Sequence, residues 1–166
     1  MTDFKVVSFD WEASDKIFEG VEKLELAVRT TMGPSGRNVV IEKPGRPPHL
    51  TKDGVTVAQS VNLKHRFQNI GAQIVKEAAQ RSAEIAGDGT TTSTVLAHEM
   101  YARGRQMVAA GFDPMRICKG IQEGTAAVSD AILKMSEEVK SREDIVNVAT
   151  ISANGDREIG DIIASA

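Results

Sequence analysis

The 166-residue sequence predicts a mainly α-helical protein with one β-hairpin and a short N-terminal strand. Two features of the chain lead to this prediction. Apolar residues recur every three or four positions along several long segments, which is typical of helices that bury one face. Clusters of glycine and proline separate these segments, and two short β-prone runs flank one of the clusters, which favours a hairpin.

The composition excludes several classes of protein. Hydrophobic residues make up 41% of the chain and charged residues 26%, as in ordinary globular domains. A net charge of −3 and an aromatic content of 4% argue against a nucleic-acid partner, which would require a basic surface and rings for stacking. No apolar run approaches the length of a membrane span and no signal segment begins the chain, so we expect no membrane partner and a cytoplasmic location.

The first part of the chain predicts a strand and a helix. The run from Phe4 to Phe9 is short and β-prone. A helix is expected to follow, from Asp10 or Ser14 to Met32, before a Gly-Pro break. Its inward face is predicted to hold Ile17, Val21, Leu24 and Val28.

The hairpin is predicted from two strands, residues 38–42 and 49–51, with a loop of proline and glycine between them. An isolated two-stranded hairpin is marginally stable in water. We therefore expect the hairpin and the N-terminal strand each to lie against another element.

Three long helices are expected next, over residues 64–86, 90–110 and 114–135. Gly87 ends the first and Asp113 caps the third, since glycine is common just after a helix and aspartate at its start. Cys118 lies in the third apolar pattern and is expected to be a small buried side chain. The expected inward residues are Phe67, Ile70, Ile74 and Ala78 in the first helix, Val95, Leu96, Met100, Met107 and Val108 in the second, and Ile117, Ile121, Val128, Ile132 and Met135 in the third.

A polar stretch over residues 136–141 follows the third helix and is expected to mark a domain boundary. Residues 1–135 would then form one domain. Residues 136–166, with helices over 145–151 and from Arg157, would begin a second.

The segment from Ala86 to Thr92 combines an acidic side chain, bare backbone and three hydroxyls at the start of a helix. The first N–H groups of a helix lack intrahelical partners and can hold phosphate oxygens. A carboxylate beside phosphate would be repelled unless a cation lay between them, so Asp88 is interpreted as a ligand of Mg²⁺. The alternative is that Asp88 only caps the helix.

Two other connecting segments, Thr31 to Pro34 and Thr51 to Gly54, also combine glycine with polar groups. These two segments and Ala86 to Thr92 are called the three joints below. If the three joints met, they would form a nucleotide-phosphate pocket with two acidic side chains, one for a metal and one for orienting an attacking water. The spacing leaves their meeting open, and Asp53-Gly54 alone is also a plain turn. The standard phosphate-loop and dinucleotide motifs are absent.

Five segments stand out in order along the chain: residues 30–40 (TTMGPSGRNVV), 51–55 (TKDGV), 69–72 (NIGA), 86–92 (AGDGTTT) and 151–154 (ISAN). Together they resemble the group I chaperonins, the GroEL-like family. The resemblance implies that residues 1–135 are the N-terminal part of the ATP-binding equatorial domain, a helical bundle, and that residues 136–166 begin the intermediate domain. The apical domain of the family is absent from these residues.

The resemblance also implies a role for each site residue. ATP would be bound with Mg²⁺ and K⁺, Asp88 would hold the Mg²⁺, and Asp53 would be catalytic and assist the hydrolytic water. The family's second catalytic aspartate lies beyond these residues, so the 166 residues alone are expected to turn over little ATP. The nucleotide and its phosphates would contact Thr31, Met32, Gly33, Pro34, Lys52, Asp88, Gly89, Thr90, Thr91 and Thr92, with K⁺ near Thr31, Lys52 and Thr91.

The implied partners are the other subunits of a homo-oligomeric ring, non-native client proteins and a cochaperonin, the last two through the apical domain. In the family the hairpin pairs with terminal strands of a neighbouring subunit. Met32 stands where the family usually has Leu, Ser35 stands where Lys is common, and Asp10-Trp11 and the loop Pro44 to Pro48 are also unusual. These departures suggest a divergent member, which we expect to be phage-encoded. A second hypothesis, a short non-enzymatic relative that assembles with or caps rings, fits the length, whereas Asp53 and Asp88 favour the ATPase.

Overall fold

The computed structural model describes residues 7–153 and 155–166 and confirms a mainly α-helical fold with one antiparallel hairpin. The chain divides into two compact units, Met1–Cys118 and Lys119–Ala166. The elements are α1 (Asp10–Arg29), β1 (Val39–Ile41), β2 (His49–Thr51), α2 (Gly54–Ser60), α3 (Arg66–Ala86), α4 (Thr90–Ala109), α5 (Pro114–Met135), α6 (Arg142–Ser152) and α7 (Arg157–Ser165).

Two sequence predictions fall partly outside the described residues. Of the strand predicted over Phe4 to Phe9, residues 4–6 are not described and residues 7–9 form no strand. Asn154, the last residue of the ISAN segment, also lies outside the described residues. None of the described helices is both long and apolar enough to cross a membrane.

The core of the first unit is built around α1, which packs against α2, α3 and α4. Val21, Leu24 and Val28 are buried on one face of α1, which confirms these three positions of the predicted inward face. They meet Val57 and Ala58 of α2 and Ala72 and Val75 of α3 in one apolar cluster.

Two glycines allow α1 and α3 to touch along their backbones. A Cβ on Gly20 would collide with the Gln68 carbonyl oxygen, and one on Gly71 with that of Ile17. This close approach explains why the buried face of α3 is displaced by one residue from the predicted face. Large side chains do not fit a contact made through glycine, so Ile70 and Ile74 are exposed. The buried face of α3 consists of Gly71, Ala72, Val75 and Ala79.

The hairpin has the predicted position, with Val40 of β1 opposite Leu50 of β2. These two side chains are 63% and 61% exposed, whereas Val39 and Ile41 pack against the core cluster. The hairpin therefore presents an apolar pair on its outer face.

The second unit contains a packed pair of helices, α6 and α7. A capping box begins α6: the Ser141 hydroxyl accepts from the Asp144 N–H, and the Asp144 carboxylate accepts from the Ser141 N–H. The helices approach closely where the Thr150 hydroxyl occupies the space of a Cβ on Gly160.

The predicted burial along α5 is wrong. Ile121, Val128, Ile132 and Met135 are exposed, and so is Cys118. Periodicity shows which side chains share a helical face, but burial also requires a partner element that covers that face.

Candidate functional site

The three polar joints predicted from the sequence meet at Gly54, the buried first residue of α2. The Thr91 hydroxyl occupies the place where a Cβ on Gly54 would stand, and the Thr91 Cβ lies 3.3 Å from that place. The Thr31 hydroxyl oxygen lies 3.5 Å from it. Residues from two of the joints thus lie against a glycine of the third, a relationship that the spacing along the sequence left open.

The joint between α3 and α4 exposes the first backbone donors of α4. Gly87 and Gly89 have φ angles of 72° and 81°, which glycine adopts without strain. Gly89 is the N-cap of α4 and, with no side chain to accept a hydrogen bond, leaves the helix start uncapped. The first intrahelical bond that reaches this turn runs from the Ser93 N–H to the Gly89 carbonyl at 2.8 Å. The N–H groups of residues 90–92 are therefore available to an anion.

Asp88 lies immediately before this uncapped turn. Its Oδ1 accepts a hydrogen bond from the Gly89 N–H at 2.6 Å, and its side chain is exposed. The residue is not the N-cap of α4, since that position belongs to Gly89. The alternative that Asp88 only caps the helix is therefore not the arrangement in this structure.

Asp53, in contrast, is a helix N-cap. Its Oδ1 accepts from the Val55 N–H at 3.2 Å, and its Oδ2 accepts from the Thr56 N–H at 3.0 Å and the Thr56 hydroxyl at 2.5 Å. Burial opposes ionisation of this carboxyl, but the hydrogen bonds from Thr56 and Val55 outweigh it and hold the pKa of Asp53 below its ordinary value. The plain turn considered for Asp53-Gly54 is in fact the start of α2.

The joint after α1 forms a tight turn at Gly33. The Thr31 hydroxyl donates to the Val28 carbonyl at 2.8 Å, and Gly33 has a φ angle of 74°. The Gly36 N–H donates to the Gly33 carbonyl at 3.0 Å. Met32 and Pro34 lie exposed on this turn.

The residues predicted to bind metals are only partly brought together. Thr31 and Thr91 both lie beside Gly54, whereas Lys52 is exposed two residues earlier. Among the described residues no group of three or more His, Cys, Asp or Glu side chains could hold a metal. The single carboxylate of Asp88 would suit Mg²⁺, because this ion is usually bound by one or two carboxylates together with phosphate oxygens.

Two residues that contact α2 or its N-cap were not predicted from the sequence, and of these Thr56 lies at the site while Lys76 lies at the opposite end of α2. Thr56 contacts Asp53, and the signal for it was a hydroxyl three residues after a helix-capping aspartate. Lys76 of α3 donates to the carbonyl oxygens of Gln59 and Val61 at the end of α2 and lines a cavity of about 620 Å³ between the two helices. Burial lowers the pKa of Lys76.

The TCP-1/cpn60 chaperonin family model matches residues 24–166. This chain belongs to that family. The family membership expected from the five sequence segments is thereby confirmed.

Two solved chaperonin structures are similar to this chain. One is a group III chaperonin in the open state, with a TM-score of 0.79 and 25% identity over 94% of this chain. The other is the chaperonin gp146 from the bacteriophage EL 2 (Pseudomonas aeruginosa), crystallised in the presence of ATP-BeFx, with a TM-score of 0.75 and 28% identity over 93% of this chain. This chain spans 31% of the first protein and 28% of the second.

Proposed function

We propose that this chain is the ATP-binding portion of a chaperonin subunit. Residues 1–135 would form the N-terminal part of the equatorial domain, and residues 136–166 would begin the intermediate domain. The observation that supports this proposal best is the meeting of three glycine-containing joints at Gly54.

The start of α4 fits a nucleotide's phosphates. Its uncapped N–H groups lie at the positive end of the helix dipole, and a Cβ on Gly89 would meet no other atom within 4 Å, so space for a ligand is open there. We assign the phosphates to residues 89–92 and the rest of the nucleotide to residues 31–34 and Lys52. K⁺ would be held near Thr31, Lys52 and Thr91.

Asp88 is the proposed protein ligand of Mg²⁺. Its exposed carboxylate adjoins the uncapped turn, where phosphate alone would be repelled by it. The cation would neutralise charge on the phosphates and on this carboxylate. Asp88 thus couples metal binding to nucleotide binding.

Asp53 is proposed to orient the water that attacks the terminal phosphate. A carboxyl whose pKa lies below its ordinary value is ionised at neutral pH but is a weak base. Holding a water molecule by hydrogen bonding suits it better than removing a proton outright. In phosphoryl transfer, positioning of this kind is a main source of catalysis.

The activity of the assembled protein would be ATP-dependent refolding of non-native proteins in a homo-oligomeric ring. Binding and hydrolysis of ATP would change the shape of the ring and so alternate capture and enclosure of clients. Clients and a cochaperonin would bind through an apical domain. The outer face of the hairpin would contact a neighbouring subunit.

The test separates binding from hydrolysis in the assembled protein. Asp88→Ala is expected to abolish Mg²⁺-ATP binding in calorimetry, as EDTA should in the wild type. Asp53→Asn keeps a side chain that caps helices well, and is expected to bind ATP while hydrolysing it on the order of 10²-fold more slowly. Asp113→Asn, which alters another carboxylate at a helix start, is the control. Normal hydrolysis in both site variants would refute the assignment.

A further inference from the structure

We infer that Thr56 is a positioning residue for Asp53, holding one carboxylate oxygen so that the other faces the attacking water; this inference rests on the hydrolytic role proposed for Asp53. Thr56 itself would touch neither nucleotide nor water. It would act through the orientation of its neighbour's carboxylate.

The two oxygens of Asp53 are held unequally. Oδ2 accepts both the N–H of Thr56 at 3.0 Å and its hydroxyl at 2.5 Å. Oδ1 accepts only the Val55 N–H, at 3.2 Å, among the described residues. An ionised carboxylate has about four acceptor positions, two on each oxygen. One position on Oδ1 is therefore left for a water.

Capping of α2 does not require the Thr56 hydroxyl. The N–H groups of Val55 and Thr56 already supply the bonds that an N-cap aspartate normally accepts. The hydroxyl adds a third bond, at a length typical of a charge-assisted O–H···O⁻ contact. This extra bond restricts rotation of the carboxylate.

Other threonines of the chain show where a helical hydroxyl can otherwise bond. Thr94 donates to the Thr90 carbonyl at 2.9 Å, and Thr125 to the Ile121 carbonyl at 2.7 Å, each four residues earlier. Thr56 is the third residue of α2, so the residue four positions earlier lies before the helix, and its hydroxyl donates to the Asp53 side chain three residues earlier. Its hydroxyl is thus committed to the proposed catalytic group.

The experiment compares three substitutions in the assembled protein, with Mg²⁺-ATP as substrate. Thr56→Val keeps the shape and removes the hydroxyl, Thr56→Ser keeps the hydroxyl, and Thr56→Ala provides a second hydroxyl-free variant with high helix propensity. We expect Thr56→Val and Thr56→Ala to lower kcat roughly tenfold with little change in KM, and Thr56→Ser to restore it.

The outcomes distinguish this inference from the function it rests on. If Asp53→Asn slows hydrolysis while the hydroxyl-free variants keep normal kcat and only melt at a lower temperature, Thr56 serves the helix alone and the inference is overturned. If Asp53→Asn leaves hydrolysis unchanged, the proposed role of Asp53 itself fails. In the double variant Asp53→Asn/Thr56→Val, we expect no loss of kcat beyond that of Asp53→Asn.

Discussion

The Thr91 side chain packs against Gly54 so closely that its hydroxyl overlaps the position that a Cβ on the glycine would take. The first turn of α2 therefore packs directly against the first turn of α4. Asp53 precedes the one turn and Asp88 the other. The contact fixes the relative placement of the two elements that carry the acidic residues of the proposed site.

Gly54→Ala is expected to destabilise the protein by roughly 1–3 kcal/mol, because the new methyl group overlaps the Thr91 side chain in a packed contact. Chemical denaturation measures this change. The double variant Gly54→Ala/Thr91→Ala should recover much of the loss, since it removes the overlapping atoms. Gly120→Ala is the control: a Cβ at this helical position meets nothing within 4 Å, so it should be neutral or slightly stabilising. Equal losses at both glycines would contradict the contact.

Leu24→Ala should cost about 2–5 kcal/mol of unfolding free energy, because Leu24 is fully buried in the cluster that joins α1, α2 and α3. Leu26, two residues along the same helix, is 59% exposed. Leu26→Ala is therefore expected to change stability by less than about 0.5 kcal/mol. Urea denaturation of the two variants measures the difference. Similar losses would place the core elsewhere.

Stability is expected to fall in mild acid through two capping carboxylates. Hydrogen bonds from the Lys140 N–H and from Ser141 lower the pKa of Asp144, and those from Thr56 and Val55 outweigh burial to lower the pKa of Asp53. The pKa of each carboxyl returns to its ordinary value of 3.8 when the chain unfolds. The unfolded chain then binds more protons, so the stabilisation is complete above that pH and is lost as pH falls through the lower folded pKa values.

Urea denaturation at about pH 5 and about pH 3 measures this effect. Asp144→Asn should reduce the dependence on pH in this interval, because the substituted residue no longer titrates. Asp53→Asn should act in the same direction. A wild-type protein equally stable at both pH values would contradict the hydrogen bonds assigned to these carboxylates.

Val40→Lys and Leu50→Lys are expected to weaken ring assembly without unfolding the subunit. The two side chains form a cross-strand pair on the outer face of the hairpin and are 63% and 61% exposed, so a charge there costs the isolated chain little. Sedimentation velocity would report the loss of large species, and circular dichroism the retained helices. Lys43→Ala, in the loop of the same hairpin, is the control. Intact rings in both apolar-to-lysine variants would count against the hairpin as a subunit contact.

Local sequence signals were sufficient for most secondary-structure elements. Helical spacing with glycine and proline breaks predicted α1, α3, α4 and α5 to within a few residues, and the flanked loop predicted the hairpin. The short helix α2 was missed, because seven residues offer too little periodicity to distinguish a helix from the turn that Asp53-Gly54 suggests.

The sequence by itself determined the family, most of the helices and the identity of the polar joints, since these depend on residues close together in the chain. Only the tertiary structure decided which helix faces are buried and whether the joints meet. Gly20 and Gly71 moved the buried face of α3 by allowing backbone contact with α1, and Gly54 brought Thr31 and Thr91 to one point. Such contacts join residues far apart in sequence. A glycine in the sequence shows that close packing is possible at that position, but it does not show which residue will pack there.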